Sequence, residues 1–243
     1  MSAAEHGAEH HEHPHYQAHH FVSMDQQNAA NKMGMWLFLV QELLFFIGLF
    51  MAYATMRYFY ADTFESVQAR NLLSIPMGGG NTIVLLTSSL TMALAVRAAQ
   101  TEERGKMLMH LALTIAFACT FLVIKYFEYS HKIHIGLLPG RFFSYEDWQL
   151  VEANGRFVGS LMEDGSALVT DAPQLFFSIY FIMTGVHGLH VLIGIGLILW
   201  LFLRAKRGEF NAEHYSPVEN VGLYWHLVDL IWIFLFPLLY LVK

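Results

Sequence analysis

Six ionisable side chains sit inside, or at the end of, long apolar runs. His187 and His190 lie three apart in FFSIYFIMTGVHGLHVLIGIGLILWLFL, and His226 and Asp229 repeat that spacing in YWHLVDLIWIFLFPLLYL. Glu42 falls midway along MWLFLVQELLFFIGLFMAY, and Glu128 stands in IKYFEYSHKIH. Imidazoles and carboxylates gathered at one point form a donor set for a transition metal. The same groups can instead hydrogen-bond between helices, as polar side chains of membrane bundles do. The paired Glu-x-x-His motifs of a helical-bundle di-iron protein are missing. A spacing of three puts each pair on one helix face, and Gly185, Gly188, Gly194 and Gly196 let another backbone approach that face closely. An unpaired carboxylate or imidazole exposed to hydrocarbon is costly, so Glu42 and the histidines are expected to face the bundle or a cavity.

These residues need elements to position them, and the composition names the elements. Hydrophobic residues make up 55% of the chain and charged residues only 14%, with the apolar residues bunched rather than dispersed. Five runs reach the roughly 20 residues of a spanning helix: Gly34 to Tyr58, Asn81 to Ala99, Met107 to Tyr126, Leu175 to Leu203 and Leu223 to Val242. The expected fold is therefore all-α, a polytopic membrane bundle of five transmembrane helices over 34–243. Residues 1–33 read as a His-rich, largely disordered tail that holds seven of the 14 histidines. Cys119 is the only cysteine and excludes an intrachain disulfide.

Short loops dense in Lys and Arg stay in the cytoplasm. Arg97, Arg104 and Lys106 occupy one such loop, and Arg204, Lys206 and Arg207 another. The amino terminus is thus expected in the cytoplasm and the carboxyl terminus on the outer face of a bacterial inner membrane. A long outer connection follows at about 130–173, punctuated by Pro139, Gly140, Asn154, Gly155, Asp164 and Gly165, with room for a small hairpin.

At these residues a family resemblance becomes specific. FFSIYFIMTGVHGLHVLIG with YWHLVDLIWIFLF resembles subunit III of the haem-copper terminal oxidases, the cytochrome c oxidase and quinol oxidase family. WLFLVQELLFFIGLFMAY is similar to that family's first conserved block, with Glu42 on its intramembrane glutamate, and NTIVLLTSSLTMALA resembles the following span. IKYFEY supplies the family's Glu-Tyr pair at Glu128 and Tyr129, while RAKRGEFNAEHYSPVE puts Arg204, His214 and Glu219 on family positions. The likeness runs from Trp36 to Tyr240, interrupted by the outer connection. Mitochondrial-type members have seven spans, and this chain resembles the shorter bacterial versions, starting where their third span would.

The resemblance implies an accessory subunit with no redox centre of its own, beside subunits I and II, which would carry haem and copper. It implies support of assembly, proton uptake, turnover stability and lipid retention, with Arg204 and His214 holding an anionic head group by charge-assisted hydrogen bonds. Expected partners are those subunits, membrane phospholipids and a larger respiratory supercomplex, not nucleic acid. The residues alone leave two other readings open: a subunit-III-like protein of a nitric oxide reductase system, and an autonomous membrane metalloenzyme built on the six polar groups.

Overall fold

A computed structural model describes residues 23–69, 73–139, 150–153, 156–161, 167–168, 173–211 and 214–241. The tail up to residue 22 and the turn positions Gly140, Asn154, Gly155, Asp164 and Gly165 lie outside the described residues. The chain runs α1 (Met24–Phe59), α2 (Ala61–Ala69), α3 (Ile75–Gln100), α4 (Arg104–His134), β1 (Leu150–Ala153), β2 (Arg156–Leu161), β3 (Ala167–Leu168), α5 (Pro173–Arg207) and α6 (Ser216–Phe236). All the α-helices except α2 are long and apolar enough to cross a membrane, so the protein is a multi-pass helical membrane bundle. The ends of these helices at Met24, Gln100, Arg104, Arg207 and Ser216 form one face, called here the amino-terminal face. The opposite ends form the connection face.

Three features go beyond the expected spans. Helix α1 starts ten residues ahead of Gly34, inside the expected tail, because Ser23 caps it by accepting from Gln26 N–H at 3.2 Å and the following Gln, Ala and Lys residues favour helix. Helix α2 is short and buries Phe64 and Val67; the Phe64 ring packs edge-on against Tyr53 and Phe176. In the long connection, β1, β2 and β3 form one antiparallel sheet in that order, a hairpin extended by a third short strand.

Small residues set how closely the helices approach. A Cβ added at Gly194 of α5 would lie 2.6 Å from the buried ring of Trp225 on α6, and one at Gly78 of α3 would lie 2.7 Å from Phe236. At Gly222 the nearest atom would be Val96 Cγ2 at 3.0 Å. By contrast, Gly185, Gly188 and Gly196 have nothing within 4 Å of an added Cβ. The α5 glycines therefore divide between one that seats an interior ring and three that face open space. Polar seams run between the same helices: Trp225 Nε1–H donates to Ser88 Oγ at 3.1 Å, Trp232 Nε1–H to Thr82 Oγ1 at 3.1 Å, and Thr91 and Thr114 hydroxyls meet at 2.8 Å.

The end of α6 is unusual. Pro237 has no N–H to continue the α-helical ladder, and Pro237–Leu241 form a wider π turn. The carbonyl of Leu238 in that turn accepts from Tyr53 OH of α1 at 2.7 Å, and the turn places Tyr240 inside the bundle.

Candidate functional site

The six polar groups do not converge; they separate into distinct settings along the bundle. Glu42 and His190 meet across α1 and α5, with His190 Nε2 2.9 Å from Glu42 Oε2. The other ring nitrogen, Nδ1, lies 2.8 Å from the carbonyl of Val186 one turn back, and Tyr224 OH donates to the carbonyl of His190 at 3.1 Å. The Phe46 ring stands edge-on at 5.1 Å. Both partners are about 15% exposed, towards a cavity of about 340 Å3 bounded by Met35, Phe38, Asn220 and Tyr224. Glu42 thus finds its partner on another helix rather than on α1.

Glu128 lies in a second cluster near the connection face. Its Oε2 accepts from Lys125 Nζ at 2.7 Å; its Oε1 accepts from Lys132 Nζ at 2.6 Å, from Tyr180 OH at 2.9 Å and from Tyr240 OH. Lys125 also donates to Tyr240 OH at 2.8 Å and stands 4.5 Å from the Trp232 ring centroid, and Lys132 donates to Tyr180 OH at 3.1 Å. Tyr129, next to Glu128, shares a short hydrogen bond with Thr184. One carboxylate, two ammonium groups and two phenols thereby tie α4, α5 and the π turn together. Lys125, Lys132, Tyr180 and Tyr240 were not among the expected site residues. Lys125 and Lys132 stand three before and four after Glu128, the helical spacing that puts them on its face, and that was the available signal.

His187 and His190 share a spacing of three but serve opposite neighbours. His187 is fully buried between the rings of Phe121 and Trp232, 5.7 and 5.2 Å away, with neither ring nitrogen hydrogen-bonded. His226 Nδ1 contacts Ser89 Oγ of α3 at 2.7 Å. Asp229, one turn on, is buried beside Ser89 without a hydrogen bond of normal length. Among the described residues, no three His, Cys, Asp or Glu side chains come close enough to share a metal ion.

At the amino-terminal face, Arg204 donates from Nε to Glu209 and lies 4.8 Å from the Trp200 ring centroid and 5.3 Å from that of Phe210. Phe210 in turn stacks on His214, with centroids 6.1 Å apart. The Arg204 hydrogen bond holds the Glu209 carboxyl below the ordinary carboxylate range. Burial, with Arg204 close by, lowers His214 below the ordinary imidazole value, so its ring is neutral at pH 7 rather than a second cation. Glu219 faces elsewhere: it lies 3.6 Å from Lys32, while Ser216 OH donates to Asn28 Oδ1 at 3.2 Å. These contacts dock the early part of α1 on the start of α6.

The model of one protein family, described as cytochrome c oxidase subunit III, matches residues 10–137 and 157–243. A probable quinol oxidase subunit 3 of Staphylococcus haemolyticus is 26% identical over 220 residues, 90% of this chain and 92% of its own length. Cytochrome c oxidase subunit 3 of Bacillus sp. (strain PS3) is 28% identical over 228 residues, 91% and 93% of the two chains. The subunit 3 of Loxodonta africana reaches 30% identity over 233 residues, 93% of this chain but 73% of the elephant protein.

Proposed function

This chain belongs to the cytochrome c oxidase subunit III family and is subunit III of a haem-copper oxidase, and from that premise we propose that it works as a non-redox accessory subunit. It assembles beside subunits I and II, which carry the haem and copper, in a bacterial inner membrane. It supports assembly, retains phospholipid, shapes proton uptake and extends the working life of the oxidase. The observation that carries this reading is the family match along nearly the whole chain. The geometry supports it: Glu42, His190, Glu128 and His226 are engaged by ion pairs and hydrogen bonds within the bundle rather than gathered at one reactive centre.

The basic loops support an amino-terminal face in the cytoplasm. There Arg204, with Trp200 flanking the cation, binds the phosphate of a lipid head group. His214 acts as a neutral hydrogen-bonding wall of that site rather than as a charge.

Depleting the chain from the purified oxidase tests the function. The haem spectrum is expected to persist, initial oxygen consumption to remain substantial, and activity to decay faster over sustained turnover. A depleted enzyme that kept its metals and partner subunits but had no initial activity would sink a supporting role. Mass spectrometric identification of the chains that copurify in mild detergent tests the partners.

A further inference from the structure

Two buried lysines share one buried carboxylate. Lys125 and Lys132 each reach Glu128, and Glu128 is the only acidic group among the described residues that acts on either. Tyr180 and Tyr240 supply hydroxyls but no charge. The cluster therefore carries one positive charge in excess, close to where α4 leaves the membrane. An uncompensated charge at that depth is expensive, and it favours an anion drawn from outside the chain.

A place for that anion's carrier lies alongside. Between α4 and α5 runs a groove of about 370 Å3, with Lys125 and Tyr129 lining it beside Thr184, and with Leu122, Leu189 and Leu192 as apolar walls. Gly185 and Gly188 form part of its α5 side, and a Cβ at either position meets nothing within 4 Å. The open side is bordered by exposed Tyr126, Leu189 and Leu192, on two helices long and apolar enough to cross a membrane. A hydrocarbon chain fits such walls, and a negative head group complements the excess charge.

We propose that the groove between α4 and α5 seats one phospholipid with an anionic head group. Its acyl chain lies along Gly188 and Leu192, and its phosphodiester sits at the connection end of α4, in the field of Lys125 and Lys132. The site stands at the opposite end of the bundle from Arg204, so loss of lipid at one end leaves the other readable.

The test uses the assembled complex. After equilibration with vesicles of equal phosphatidylglycerol and phosphatidylcholine and mild extraction, native mass spectrometry counts the lipids retained on this chain. The expected preference for phosphatidylglycerol is about tenfold. Lys125→Met leaves Glu128 paired with Lys132 and removes the excess charge, so the preference should fall close to unity. Gly188→Leu grows into open space and should reduce occupancy by either lipid about fivefold or more. An unchanged preference in Lys125→Met, or full occupancy in Gly188→Leu, overturns the proposal. So does a wild-type chain with no preference, which would mean that the connection supplies the missing negative charge. Release of another subunit by Gly188→Leu with the lipid count unchanged would assign the groove to a protein helix and also overturn it. Gly188→Leu carries the test alone if Lys125→Met fails to assemble.

Discussion

The ring of His190 is held at both nitrogens: Nδ1 lies 2.8 Å from Val186 O, and Nε2 lies 2.9 Å from Glu42 Oε2. A carbonyl only accepts, so the hydrogen-bond geometry assigns a proton to Nδ1. The contact to Glu42 then holds a single proton, on the ring or on the carboxyl, and the pair is neutral overall in either arrangement. Such a pair can remain at membrane depth without a counter-ion.

Glu42→Gln should therefore be tolerated, because its amide can donate to Nε2 of a neutral ring. Glu42→Leu leaves that nitrogen without a partner and should destabilise the chain by about 1–3 kcal/mol. Thermal unfolding of the two variants in the same detergent compares them. Equal losses in both would contradict the proton count.

Glu128 holds two cations, so its removal should be the most damaging single change in the connection-side cluster. Glu128→Leu leaves two buried ammonium groups unpaired and is expected to cost about 3–5 kcal/mol. Replacing Lys125, Glu128 and Lys132 together by Met, Leu and Met should recover much of that loss, since no buried charge is then unbalanced. Yield of folded chain on size-exclusion chromatography reads both effects, and a triple variant as poor as Glu128→Leu would argue against charge as the cause.

The glycines make opposite predictions on one helix. Gly194→Ala brings a methyl within 2.6 Å of the Trp225 ring and should cost about 1–3 kcal/mol through overpacking. Gly196→Ala, only two residues on, meets nothing within 4 Å and should be neutral or slightly stabilising. Melting temperatures of the two purified variants decide, and equal behaviour would remove the distinction between inner and outer glycines.

Acid should loosen the Arg204 edge. Glu209 has a lowered pKa, so its contact with Arg204 contributes stability above the ordinary value of 4.5 that is lost as pH falls through the folded value. His214 is also lowered, so the folded edge prefers the neutral ring and loses stability as pH drops below 6.5. Both shifts act in the same direction. Protection factors over Arg204–Asn211, taken relative to the intrinsic exchange rate at each pH, should fall from neutral to acid pH, and a rise in protection in acid would reverse the assignment.

The five spans were legible because their length and apolarity are local properties of the chain. What lay between them was not. The expectation that His187 and His190 would act together followed from their spacing, yet a step of three residues leaves them about 60° apart around the axis, enough for one to face Trp232 and the other Glu42. Lys125 and Lys132 were readable as neighbours of Glu128, whereas Tyr240 reaches that site only through the π turn at Pro237, a break in periodicity that no periodic reading supplies. The start of α1 at Met24 was marked by the Ser23 cap, overshadowed by the polar composition of the tail.

The polar attachments of α1 set a timetable for making the protein. The imidazole that meets its Glu42 carboxyl lies 148 residues downstream and the carbonyl that receives Tyr53 lies 185 residues downstream. At the roughly 5–20 residues per second of synthesis, Glu42 waits about 7–30 s after emerging before His190 even exists. During that interval Tyr53 can already accept from Arg57 one turn on, whereas the Glu42 carboxyl at membrane depth still lacks the imidazole it is to meet. Helix α1 is thus made well before the helices that complete its bonds, and an insertase or a neighbouring subunit that shelters it would act in that gap.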